Sequence, residues 1–200
     1  MIINKSRLSL PFLVLIAANC GSNNVKSDDD ARRAYLGLDG SIDKAIDLGF
    51  DGFNAAQSAN IPTESAAVVI TGTLTVNGQV DQGVSANKQM RLNITMAGYT
   101  DTRGFTYDTD EPADGGAALP ALDLSLQGIP NGTLTGTLVG TFRMSGDLSG
   151  PVALNLMITG DLAPNADGGS SKAVVRKPGT THVTGTAISP AGTFSVDVTK

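Results

Sequence analysis

From Ala66 onward the apolar residues keep a period of two, and that alternation restricts the fold more than any other feature of the chain. Val68, Ile70, Leu74 and Val76 take even positions, as do Leu92, Ile94 and Met96, then Leu122, Leu124 and Leu126, then Val152, Leu154, Leu156 and Ile158. Polar or small residues fill most of the positions between. A half-buried strand has this pattern because successive side chains point to opposite faces of a sheet. Leu134, Leu138, Phe142 and Met144 line one face of a further strand, and short segments at Phe105 to Tyr107, Val174-Val175, Val183 to Ile188 and Phe194 to Val198 complete the set. Asn77-Gly78 is a favoured two-residue hairpin turn, so the first strand is expected to fold back there through Gln79 to Val84. Asp108 to Pro120 and Asp161 to Lys172 read as polar surface loops. With 24 glycines, no tryptophan and a core left mainly to aliphatic side chains, about nine strands predict a mainly β fold. The expected architecture is an antiparallel meander forming a small barrel or sandwich.

Thr-Gly-Thr recurs at residues 71–73, 135–137 and 184–186, each time with glycine on the apolar face. Glycine within a strand marks a bend, a bulge or the close approach of another group. It also leaves side-chain volume empty, and an interior cavity for an apolar ligand, lined by Leu74, Leu138, Phe142, Leu156 and Ile158, is the functional alternative to simple curvature.

Before the strands the period is four. Leu38-Asp39, Ile42-Asp43, Ile46-Asp47 and Phe50-Asp51 place an apolar ridge of Leu38, Ile42, Ile46 and Phe50 beside an acidic ridge of Asp39, Asp43, Asp47 and Asp51. Gly40, Gly49 and Gly52 each cost about 1 kcal/mol inside a helix. They predict a short helix from about Ser41, as N-cap, to Leu48, ended by Gly49. An earlier turn at Ala31 to Tyr35 is expected to be capped by Asp30. The apolar ridge suits docking on the β domain with the aspartates in water. The four aspartates are also the candidate ligands of a calcium or other cation site, although Asp47 to Ser58 lacks the ligand positions and the closing glutamate of an EF-hand.

The N-terminus is of another kind. Lys5 and Arg7 precede the apolar run Leu8 to Ala18, which is too short to span a bilayer and reads as a secretory signal peptide. It ends in Ala17-Ala18-Asn19-Cys20-Gly21-Ser22, with the chain's one cysteine. This segment resembles a bacterial lipoprotein signal, in which the cysteine receives diacylglycerol and becomes the new N-terminus; Ala17 and Asn19 stand where leucine and a small residue are usual. The resemblance implies lipidation at Cys20, a lipid-anchored protein of the cell envelope and, from Gly21, the outer membrane. Ordinary cleavage after Ala18, leaving Cys20 a free thiol, is the alternative. The expected organisation is a signal peptide over 1–19, a flexible tether over 20–30, a helical segment over 31–60 and a β domain over 61–200.

No catalytic motif emerges. His182 is the only histidine, it opens a strand and reads as a surface residue, and neither a nucleophile elbow nor His/Cys metal spacing is present. Asp147 and Asp161 are candidates for paired carboxylates but fit better as strand ends. Fourteen basic against 19 acidic residues argue against nucleic acid, whose phosphates require clustered Lys and Arg. The functional expectation is a non-enzymatic envelope lipoprotein, structural or interacting through a protein partner, with no cofactor. A carrier of lipid or another apolar ligand and a calcium-binding surface module are the alternatives.

Overall fold

The computed structural model describes residues 23–67, 70–102, 104–109, 118–165 and 174–200. The signal region, Cys20, Val68 and most of the two polar loops lie outside these residues. Two helices come first: α1 (Asp28–Leu36) and α2 (Asp39–Ala55). Ten strands follow: β1 (Asn60–Ala67), β2 (Thr71–Val80), β3 (Lys88–Thr100), β4 (Phe105–Asp108), β5 (Ala121–Gln127), β6 (Thr133–Gly146), β7 (Gly150–Pro164), β8 (Val174–Arg176), β9 (His182–Ser189) and β10 (Gly192–Thr199). All pairings are antiparallel, and the path runs β1-β2-β3-β4-β6-β7-β9-β10, with β5 sharing the lane between β3 and β6 and β8 pairing the end of β7. The meander expected from the alternation is therefore present as a ring-like sheet with the helical segment packed on it.

The helices exist because their ends are supplied from the sequence and their apolar face from the sheet. Ser27, not Asp30, caps α1: its Oγ accepts from the Asp30 backbone N–H at 3.1 Å, while Asp28, Asp29 and Asp30 occupy the positive first turn. Leu38, Ile42, Ile46 and Phe50 are all buried and belong to one apolar cluster with the inward residues of every long strand. Contrary to expectation, α2 starts at Asp39 and runs through Gly49 and Gly52. Both glycines face the sheet. A Cβ on Gly52 would lie 2.9 Å from Ile61 Cβ, and one on Gly49 would lie 3.2 Å from Met90 Sδ. Close helix–sheet approach thus offsets the propensity cost that would otherwise end the helix.

The expected hairpin at Asn77-Gly78 does not form; β2 passes through it to Val80. Gly78 pairs Leu92 on one side and Ile61 on the other, and Asn77 accepts from Asn93 Nδ2 at 3.1 Å across the strands. The apolar period in fact continues as Leu74, Val76, Gly78 and Val80, so strand pairing on both sides overrode the local turn signal. A separate β1 precedes β2, and Asp161 to Pro164 extend β7 where a loop was expected. At each Thr-Gly-Thr the glycine sits where a Cβ would overlap a main-chain oxygen of the adjacent strand: Gly98 for Gly72, Asp123 for Gly136, Asn155 for Gly185. Gly72 also has φ of 88° and lies at a bulge between β2 and β3. The motif therefore marks close backbone approach in a strongly curved sheet.

The sheet's two free edges are β1 and β10, and the helices reach both. α1 lies along β10, where the Ser195 N–H donates to Asp28 Oδ1 at 2.8 Å, and α2 packs on β1 and β2. Pro62 and the bulge between Ile61 and Glu64 blunt the β1 edge. Among the described residues, no helix is long and apolar enough to cross a membrane.

Candidate functional site

Three charged residues are buried among those described: Asp39, Arg176 and Lys88. Lys88 donates from Nζ to the Gly83 carbonyl at 2.6 Å and lies 4.5 Å from the centroid of the Phe53 ring, so it fixes the β2–β3 connection to the end of α2. The other two form the centre of the most concentrated polar constellation. Strand alternation puts Arg176 on the inward face with Val174. Its guanidinium grips Asp43 with two bonds, Nε to Oδ1 at 2.9 Å and Nη2 to Oδ2 at 2.8 Å. It also donates from Nη1 to Asp39 Oδ1 at 2.7 Å and from Nη2 to the Asp39 carbonyl at 2.9 Å. Asp39 further accepts from the Tyr35 hydroxyl and pairs with Lys200 Nζ at 3.0 Å. Helix spacing places Asp39 and Asp43 on one face of α2, four residues apart, so a single inward arginine can reach both carboxylates, while Tyr35 comes from the last turn of α1.

Burial and charge oppose one another here. Burial disfavours ionised Asp39, but Arg176, Tyr35 and Lys200 outweigh it and hold the carboxyl below its ordinary range. Burial likewise works against the Arg176 cation, and Asp43 and Asp39 overcome it, so the guanidinium stays protonated. Tyr35 is pushed well above its usual value, first by burial and then by the adjacent Asp39 charge. Tyr99 and Tyr107 are raised too, mainly by burial. None of the three supplies a phenolate near neutral pH. A cleft of about 200 Å³ opens over the clasp between Lys177, Pro178, Thr181 and Lys200.

The aspartate ridge is therefore left in water only in part. Asp39 and Asp43 are held by Arg176, Asp47 accepts from Asn165 Nδ2 at 3.4 Å with its carboxyl raised by burial, and Asp51 is exposed. The four do not converge on a cation, and among the described residues no group of three or more His, Cys, Asp or Glu is arranged to hold a metal. Arg176 takes the cation's place.

Leu74, Leu138, Phe142, Leu156 and Ile158 are each fully buried, and they share their cluster with the apolar ridge of α2. His182 is exposed and bonds Asp197 at 2.9 Å. Asp147, in the β6–β7 turn, and Asp161, near the other end of β7, stand at opposite ends of one strand and cannot act as a pair. Of the expected flexible tether over 20–30, residues 20–22 lie outside the described residues; Asn23 and Val25 are bonded to the domain, Val25 is buried, and α1 begins at Asp28.

Arg176, Tyr35 and Lys200 were not predicted as site residues. One signal for Arg176 was present, since period two from Val174 points it inward, and an inward arginine requires a carboxylate. The chain matches no family model, no curated protein and no solved structure.

Proposed function

We propose that the protein is a lipid-anchored module of the cell envelope with a structural or interaction role rather than a catalytic one. The observation that supports this reading is the closure of the buried charged constellation on itself. Four donor contacts of Arg176 go to Asp39 and Asp43, and the remaining contacts of Asp39 go to Tyr35 and Lys200. A catalytic or ligand-binding centre holds polar groups ready for a substrate; here they are spent on joining α2, β8 and the end of the chain. Anchoring rests on the lipoprotein-like segment at Cys20. Acyl chains contribute about 0.8 kcal/mol per buried methylene, so two or more hold a domain durably at a bilayer.

Radioactive palmitate fed to cells expressing the protein is expected to label it, and Cys20→Ala is expected to abolish the label. Labelling that survives the substitution contradicts the anchor.

A further inference from the structure

We infer that the β6–β7 turn, with the adjoining β9–β10 turn, is the face that rests on the lipid surface, and that the β domain is held against the bilayer without a long spacer. The inference rests on the anchoring at Cys20 proposed above. What it adds comes from the first described residues, which are bound to the domain at once. The Asn23 carbonyl accepts from the Ser149 N–H at 2.9 Å, in the β6–β7 turn. The Asn24 Oδ1 lies where Gly150 would carry a Cβ. Val25 is 1% exposed, and its carbonyl accepts from Ser189 Oγ at 2.6 Å, at the end of β9. Asp28 then fastens the start of α1 to β10 through the Ser195 N–H.

Only Gly21 and Ser22 separate Cys20 from Asn23. Three Cα-to-Cα steps reach at most about 11 Å even when fully extended. An acylated Cys20 therefore lies within roughly one helix diameter of the β6–β7 turn. The other end of β6, a strand of 14 residues, is separated from that turn by a strand length of up to about 43 Å. Ser149 is bonded to Asn23, the exposed Pro190 and Ala191 follow directly on Ser189, which is bonded to Val25, and Arg33 is shared between Asp30 at 3.6 Å and Asp147 at 3.5 Å. Durable anchoring falls to the acyl chains.

Acylation occupies the chain's one cysteine, so Ala191→Cys and Asn131→Cys each accept a single maleimide fluorophore. The acylated proteins are reconstituted on phosphatidylcholine vesicles that carry a quencher at headgroup level. Quenching at position 191 is expected to exceed that at position 131 at least twofold. A 20-residue Gly/Ser insertion after Ser22, with a root-mean-square reach of about 25 Å, is expected to erase the difference while the protein still floats with the vesicles. Equal quenching at both positions without the insertion, or a difference that the insertion leaves unchanged, overturns the seating. Failure of the unmodified chain to float overturns the anchor, and the seating with it.

Discussion

Arg176 is the residue that fastens the helical segment to β8, and Lys200 joins the same clasp at Asp39. Removing one partner of a buried ion pair leaves the other charge uncompensated and costs about 3–5 kcal/mol, a large part of the 5–15 kcal/mol typical of a domain. Arg176→Met is therefore expected to lower the unfolding free energy measured in urea by that amount, and Arg176→Lys to restore little of it, because an ammonium cannot span both carboxylates. Asp39 sets the pH dependence. Its folded carboxyl titrates below the ordinary value of about 3.9, so its stabilisation is complete above that value and is lost as pH falls through the folded one. Asp47, raised by burial, has the opposite sign: its favourable contribution is present below the ordinary value and is lost as pH rises through the folded one. Asp39→Asn is expected to be less stable than the wild type at pH 7 and to lose less stability on acidification to pH 3, measured by urea unfolding at each pH. An unchanged acid slope would separate Asp39 from the stability of the fold.

At the scale of elements, α2 and β2 show where local signals yield to packing. The three glycines of α2 argued for a short helix, and two of them are instead the contact surface that lets the helix approach β1 and β3. Gly52→Ala is expected to destabilise by about 1–3 kcal/mol, since Ile61 is branched at the atom it would meet and cannot swing away. Gly49→Ala meets the flexible end of Met90, where gained helix propensity of about 1 kcal/mol roughly cancels the crowding. Thermal unfolding of the two variants separates these outcomes, and equal effects would contradict the packing. Strand positions along most of the sheet were legible because one face is apolar throughout. Asn77-Gly78 reads as a turn because its turn propensity is local, whereas the partners that keep it extended, Ile61 and Leu92, lie elsewhere in the sequence. The aspartate ridge was visible, but its destination was not: Arg176 stands 137 residues beyond Asp39, and nothing near either residue announces the pairing.

In the whole molecule, the sheet leaves two edges, β1 and β10, and the helices that follow the N-terminal segment lie against both. The apolar ridge fills the sheet's concave side, the Arg176 clasp fastens it, and Asp28 covers part of the β10 edge. The central claim is that the helical segment is part of the core and does not merely cover it. Native-state hydrogen exchange across α2 and across β6 and β7 tests this most directly. The account predicts that the buried amides of all three open with the same free energy, equal to that of global unfolding, and that Arg176→Met lowers them together. Exchange in α2 through a separate opening several kcal/mol cheaper than that of β6 and β7 would contradict it.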